Sequence, residues 1–228
     1  MLKHIIVFIV LFSVNSASAE FDVPDFWVVD TVEVNAVPDI GGINLLVENQ
    51  CNVNSLFAES PLDLGTVGWD EIINIGMKVW QIVLDNKPVV HVEIPVAHAM
   101  PRGLNCWSDL ERWRAPSTNS YEVLYKNKFG AEVVKFRFRL QFTHGGSHAG
   151  LGRYIANATV MPAQIDVLWG YTFNAKVDIA QAVNLGTKQD PVAGLEMNLH
   201  WNVKTWVKES DNSVHFFIDG NGNVNHAQ

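Results

Sequence analysis

The sequence predicts an all-β fold, mainly an antiparallel β-sandwich or barrel-like structure of about eight strands, with one amphipathic helix near residues 69–85. The prediction depends on three runs, at 135–143, 169–180 and 195–207, in which apolar residues alternate with polar ones. Successive side chains of a strand point to opposite faces, so a period of two indicates one buried and one solvated face. Three such runs in one region favour an antiparallel sheet.

Composition and charge restrict the class of protein. The chain has 228 residues, of which 48% are hydrophobic and 18% charged, as is usual for a globular protein. Its formal net charge of −8 argues against nonspecific binding to nucleic acid or to anionic lipid. We therefore expect no nucleic-acid partner.

The N-terminus has the pattern of a signal peptide. Lys3 precedes the apolar run Ile5–Phe12, and Ala17-Ser18-Ala19 offers small residues at the cleavage positions. We expect cleavage after Ala19, which leaves residues 20–228 as a single β-rich domain that is periplasmic or secreted. No later apolar stretch approaches the roughly 20 residues of a membrane-spanning helix, so we expect none in the mature chain.

The first elements of the mature chain are a strand and the helix. Val28–Val37 alternates well enough to be the first strand. Trp69–Asp85 is the predicted helix, because apolar residues recur there at helical spacing, at Ile72, Ile75, Val79 and Val83. Acidic residues in its first turn suit the helix dipole, and Pro88 follows its end.

The rest of the chain reads as strands and turns. Tyr121–Tyr125 and Ala131–Thr143 predict a hairpin, and Gln164–Ala180 is either one very long strand or two strands bent near Gly170. The remaining predicted strands are Val89–Ala99, Arg153–Met161, Leu195–Lys208 and Ser213–Asp219. Trp169 and Trp201 belong to apolar faces and are expected in the core, whereas Trp206 falls on the polar side of its strand.

Two cysteines, Cys51 and Cys106, are present. In an oxidising compartment an isolated pair most simply forms one disulfide, and the alternative is two separate buried thiols. We expect the disulfide.

Two groups of side chains are candidates for ligand binding. Trp107 and Trp113 lie in an otherwise polar segment, where exposed rings could stack on sugars or contact a protein. Arg137 and Arg139 share one strand face with Lys135 and could dock an anionic polymer. Core packing for the rings and protection of an edge strand for the charges are the structural alternatives.

A metal site is a weaker hypothesis. His144 and His148 flank the same glycines, and His91 and Glu93 lie two residues apart on one strand face. Imidazole and carboxylate are common metal ligands, but nothing in the sequence shows that the two pairs meet. Surface histidines are the alternative.

The sequence favours binding over catalysis. No stretch joins a nucleophile, a base and an orienting group, and no motif indicates a cofactor. The leading hypothesis is an exported, non-enzymatic β-sandwich that binds or scaffolds an extracytoplasmic glycan or protein. Two alternatives remain open: a membrane-inserting β-barrel or pore-forming protein, and a metal-dependent enzyme that uses clustered histidines.

Overall fold

A computed structural model describes residues 25–38, 67–91, 94–104 and 106–227. The expected signal peptide, Cys51 and Glu93 lie outside these ranges. Among the described residues, no helix is long and apolar enough to cross a membrane.

The described residues form twelve strands and two short 3₁₀ turns. The 3₁₀ turns are Asp25–Trp27 and Trp107–Asp109. The strands are β1 Val29–Val37, β2 Gly68–Asn74, β3 Val79–Leu84, β4 Lys87–Pro88, β5 Ala97–Arg102, β6 Ser117–Asn127, β7 Glu132–His148, β8 Leu151–Val167, β9 Thr172–Asn184, β10 Ala193–Lys204, β11 Glu209–Asp219 and β12 Val224–Ala227.

The strands make two six-stranded sheets. Sheet A has the order β1-β6-β7-β8-β5-β2, and sheet B has the order β12-β11-β10-β9-β3-β4. Every pairing between these strands is antiparallel. The predicted all-β, antiparallel class is confirmed.

The apolar face of each sheet packs against that of the other. Phe136 of β7 lies 5.0 Å from Phe173 of β9, measured between ring centroids. Tyr121 of β6 lies 4.8 Å from Phe216 of β11. All four rings are buried, and Leu199 is fully buried beside them. The alternating runs therefore supply the inner faces of a sandwich, and their polar members face outward.

The prediction of a helix near residues 69–85 is wrong. Residues 68–74 form β2 in sheet A, residues 79–84 form β3 in sheet B, and the chain crosses between the sheets in between. Gly76 lies at this crossing, where an added Cβ would stand 2.5 Å from the carbonyl oxygen of Val96. Trp80 and Ile82 face inward at strand spacing. Helical spacing arose by chance from two short strands rich in β-branched residues, which favour strands.

Several strand boundaries also differ from the prediction. The segment 164–180 is two strands, because Val167 ends β8 and the turn 168–171 precedes β9. The predicted strands Leu195–Lys208 and Ser213–Asp219 leave a turn at Glu209–Asn212, but these four residues belong to β11 and the turn lies at 205–208. Residues 89–96 contain no strand in their described part, and β5 begins only at Ala97.

Candidate functional site

The outer face of sheet B carries three cross-strand rows, most of whose members are polar. Residues that face each other across an antiparallel pair lie with their Cβ atoms about 4.5–5.5 Å apart, so each row is contiguous. The rows, read from β3 or β9 towards β11, are Gln81, Lys176, His200 and Ser213; Asn174, Asn202 and Asp211; and Val79, Asp178, Asn198 and His215. We call this surface the polar face.

Alternation in the sequence produces this face. Leu199, Trp201 and Val203 of β10 are buried against sheet A. Their neighbours Asn198, His200 and Asn202 must then point to the other side of the sheet. The polar alternates of the strand pattern are therefore the residues that make up the candidate site.

Hydrogen bonds link the third row of the polar face to His200. His200 Nε2 lies 2.6 Å from Asp178 Oδ1, and Asn198 Nδ2 donates to Asp178 Oδ2 over 3.2 Å. His215 Nδ1 lies 2.5 Å from Asn198 Oδ1. Because the Asn198 oxygen accepts, Nδ1 of His215 carries the proton. This chain of contacts holds four side chains from three strands in fixed positions.

A depression of about 300 Å³ opens beside this network. Both N–H bonds of the Asn202 amide are used, one to Glu209 Oε1 at 2.9 Å and one to Asp211 Oδ1 at 2.8 Å. Asn174 Oδ1 accepts from the Asp85 backbone N–H over 2.9 Å. The lining residues are Gln81, Asn174, Ala175, Lys176, His200, Trp201, Asn202, Asp211 and Asn212. We call this depression the polar groove.

A buried tyrosine fixes the floor of the polar groove. Trp201 Nε1 and Asn212 Nδ2 both donate to the Tyr125 hydroxyl, each over 2.7 Å. Burial raises the pKa of Tyr125 to about 12, so its hydroxyl stays neutral at ordinary pH. Strands β10 and β11 are thereby tied to β6 of the opposite sheet directly below the groove.

The groove presents several groups that can form hydrogen bonds with a ligand. Ser213 faces His200 in register, and His200 is paired with Asp178. Hydrolysis by such a group also needs donors for an oxyanion. The backbone of β10 here is paired on both sides, with β9 and with β11, so its N–H groups are used in the sheet ladders. The amides, carboxylates and ammonium group instead suit hydrogen bonding to a polar ligand.

The predicted ligand-binding tryptophans lie elsewhere, in the segment between β5 and β6 beside sheet A. Trp113 packs on Gly146 near the end of β7, and its Nε1 donates to the Trp107 carbonyl oxygen over 3.1 Å. The two ring centroids lie 6.1 Å apart at 76°. Both rings are half-buried against the core. Glu111 exchanges two backbone hydrogen bonds with Ser147, so the segment covers the glycine-rich hairpin.

The predicted arginines lie on the outer face of sheet A. Arg137 Nε bonds Glu122 Oε2 of β6 at 2.6 Å. Arg139 lies two residues further along β7, opposite Ser120 and Met161. It is seven residues from Gly146, which is about 20 Å along a strand. The four predicted residues therefore do not form one site.

The histidines of the metal hypothesis have different neighbours. His91 Nε2 lies 2.8 Å from the Gln81 carbonyl oxygen, and His148 stacks on Trp69 with centroids 3.9 Å apart. His144 packs against Gly222, and burial lowers its pKa while a backbone hydrogen bond at Gly220 opposes that shift. Within the described ranges, no group of three or more His, Cys, Asp or Glu side chains could hold a metal ion. The metal site stays a prediction.

Cys106 caps the 3₁₀ turn Trp107–Asp109. Its Sγ accepts from the Ser108 backbone N–H over 3.3 Å and lies 2.8 Å from Ser108 Oγ. The Cys51–Cys106 disulfide stays a prediction, because Cys51 lies outside the described residues.

Known proteins do not identify the chain. No family model, curated protein or solved structure matches it. The function must therefore be inferred from the surface itself.

Sequence reasoning missed the polar groove because it treated outward polar residues only as the solvated face. A signal was present: Asn198, His200 and Asn202 alternate in β10, while Asn174, Lys176 and Asp178 alternate in β9. What the sequence does not contain is the register, which places these two series side by side.

Proposed function

We propose that this chain is an exported, non-enzymatic β-sandwich that binds an extracytoplasmic glycan in the polar groove. The observation that carries the proposal is the convergence of facing polar rows from four strands in one depression of about 300 Å³. Ligand sites are typically concave, mostly preformed and lined by a few well-placed polar groups.

The chemistry of the groove favours a polyhydroxylated ligand. Sugar hydroxyls donate and accept hydrogen bonds, and the groove offers carboxylate acceptors and ammonium and amide donors in neighbouring positions. These groups are held by the Asn202 and Asp178 contacts described above, so little side-chain freedom is lost on binding.

Charge narrows the class of glycan. Lys176 is the one lysine or arginine in the groove lining, while Asp211 lines it and Glu209 and Asp178 lie next to it. Excess negative charge repels acidic polymers. The proposed ligand is therefore a neutral or amino-containing glycan.

The test is glycan-array screening of the purified mature chain, followed by calorimetric titration of the glycans it retains. Lys176→Ala and Asp211→Ala should each weaken binding about tenfold or more, since hydrogen bonds to charged groups contribute about 1.5–3 kcal/mol. Asn202→Ala should weaken binding indirectly, because its amide holds the Glu209 and Asp211 carboxylates in place. Lys188→Ala is the matched control, because Lys188 is exposed in the β9–β10 connection, away from the groove. Retention of no glycan, or equal affinity of all four variants, contradicts the proposal.

Export is tested separately. Mass spectrometry of the protein from a secreting host should find Glu20 at the N-terminus. Intact Met1 on soluble cytoplasmic protein is the opposing result.

A further inference from the structure

The end of the sandwich opposite the β7–β8 hairpin gathers three hairpin turns, the turn that joins β8 of sheet A to β9 of sheet B, and the N-terminal 3₁₀ turn. Register places them together, since Val29 pairs with Asn127, Val134 with Val167 and Thr172 with Lys204. Asn86 of the β3–β4 turn reaches the same end, where its Nδ2 donates to the Tyr171 carbonyl oxygen over 3.1 Å. The five segments are 25–28, 85–86, 128–131, 168–171 and 205–208.

This end concentrates exposed aromatic side chains. Trp169 is 84% exposed, Phe129 71% and Trp206 70%. Every other Phe, Tyr or Trp side chain in the described ranges is buried or half-buried. Leu168 and Leu84 are exposed next to them. We define the aromatic tip as Trp27, Leu84, Phe129, Leu168, Trp169 and Trp206.

The tip is built around Trp27. Its ring centroid lies 6.0 Å from that of Trp169 and 6.4 Å from that of Trp206. It lies directly over Gly170, where an added Cβ would come 2.2 Å from a ring carbon. The position of the N-terminal turn is fixed as well, because the Phe26 carbonyl oxygen accepts from Asn127 Nδ2 and from the Tyr171 hydroxyl. Fixed rings on separate turns form a preorganised surface.

The geometry disfavours a stacked sugar as the occupant. The Trp169 and Trp206 rings are inclined at 58° and 80° to Trp27. Rings at such angles share no common plane on which a sugar chain could lie. They stand on turns at the end of the sandwich, so the surface is a projection rather than a groove.

The charged residues around the aromatic tip favour a lipid surface that carries no net charge. The chain carries −8 overall, yet the tip segments and the two residues on either side of each are close to charge balance, with five lysines and six carboxylates: Lys87, Lys126, Lys128, Lys204 and Lys208, with Asp25, Asp30, Asp85, Glu132, Asp166 and Glu209. This balance neither repels nor selects a zwitterionic headgroup. Tryptophan is enriched at membrane interfaces, because its ring is apolar while its N–H remains hydrated.

We propose that the aromatic tip docks on the headgroup region of a zwitterionic phospholipid bilayer, with Trp169 and Trp206 inserted into the interface. Phe129 and Leu168 add apolar area on neighbouring turns. The proposal is independent of the polar groove, which lies on the side of sheet B rather than at its end.

The experiment is flotation of the purified mature chain with phosphatidylcholine vesicles, with tryptophan emission recorded on the same samples. Wild-type protein should float with the vesicles, and its emission should shift to shorter wavelength. Trp169→Ala and Trp206→Ala should each lower the partition coefficient about tenfold or more. Near-ultraviolet circular dichroism verifies that both variants are folded, as expected for positions so exposed.

Two controls separate this proposal from its alternatives. Leu151→Ala removes an exposed leucine at the opposite end, and His200→Ala alters the polar groove at a side chain that pairs with Asp178; both should bind vesicles like wild type. Absence of flotation, flotation only with anionic vesicles, or equal flotation of the tryptophan variants overturns the proposal. It is also overturned if wild type is a dimer that Trp206→Ala dissociates, since a second copy then covers the tip.

Discussion

The indole ring of Trp113 lies so close to Gly146 that an added Cβ at residue 146 would stand 2.4 Å from two ring carbons. The ring occupies the space that a side chain would need. This contact explains why a glycine stands at residue 146. It also assigns Trp113 a structural contact in the covering segment.

Gly146→Ala should therefore destabilise the fold by about 1–3 kcal/mol, the usual cost of forcing atoms into a packed region. Urea denaturation measures the free energy of unfolding. Gly68→Ala is the matched control, since Gly68 also lies in a strand and its added Cβ would meet nothing closer than 3.5 Å. Equal stability of the two variants would contradict the predicted clash.

Tyr125→Phe should destabilise the protein by about 1–3 kcal/mol, because two buried donors, Trp201 Nε1 and Asn212 Nδ2, lose their acceptor. Tyr121→Phe is the control, as Tyr121 is equally internal but packs through its ring against Phe138 and Phe216. Thermal unfolding compares the two. A larger loss for Tyr121→Phe than for Tyr125→Phe would contradict the assigned role of the hydroxyl.

Acid should destabilise the protein through His98. This residue is 2% exposed, its Nδ1 accepts from the Asn157 backbone N–H, and burial lowers its pKa from 6.5 to about 4. As the pH falls below 6.5, His98 binds a proton in the unfolded chain but not in the folded chain. The free energy of unfolding therefore declines until about pH 4. The difference between the two pKa values corresponds to a loss of roughly 3 kcal/mol in the free energy of unfolding.

The measurement is the free energy of unfolding of wild type and His98→Gln at pH 7.5 and at pH 4. The variant is expected to be less stable at pH 7.5, but its loss between the two pH values should be smaller by roughly 3 kcal/mol. Parallel losses in the two proteins would show that His98 is not the responsible group.

The sequence predicted an antiparallel β-sandwich or barrel-like fold, but not the groove or the tip, for physical reasons. Alternation over many residues, as in β7, β9 and β10, reports burial on one face directly. Short strands give no such signal. The isoleucines and valines of β2 and β3 fit both the spacing of a helix and that of a strand, so together they imitate a helical period. Trp169 was expected in the core from its place in an alternating run, yet it lies in a turn and is 84% exposed. The available signal for the tip was Trp206, which falls on the polar side of its predicted strand.

We still expect a Cys51–Cys106 disulfide, because an isolated pair of cysteines in an oxidising compartment most simply forms one bond. It would tie residue 51 to the segment that covers the β7–β8 hairpin. Its loop closure is worth roughly 4 kcal/mol in the chain-entropy model. Peptide mapping without reductant should recover the two cysteines in one linked fragment. Cys106→Ser should then lower stability far more than Ser108→Ala, which removes only the hydroxyl beside the sulfur. Two thiols open to alkylation in native, oxidised protein would contradict the bond.

The last prediction compares the two faces of sheet B. Phe173 and Leu199 are fully buried between the sheets, so Phe173→Ala should cost about 3–5 kcal/mol and Leu199→Ala about 2–5 kcal/mol. From the sequence alone, the outward neighbours Asn174 and Asn198 are both surface positions whose loss costs within about 0.5 kcal/mol.

In the structure, Asn174 and Asn198 have different surroundings. Asn198 is 8% exposed and bonds both Asp178 and His215, so Asn198→Ala should cost about 1–3 kcal/mol. Asn174 is half-buried and accepts one bond, from Asp85, so its variant should lose less. Chemical denaturation of the four variants in plain buffer should show the largest loss of stability for Phe173→Ala and Leu199→Ala. The loss should be smaller for Asn198→Ala and smallest for Asn174→Ala. If Asn198→Ala is as harmless as Asn174→Ala, the hydrogen-bonded row does not hold the polar face in place, and the preorganisation argued for the groove fails with it.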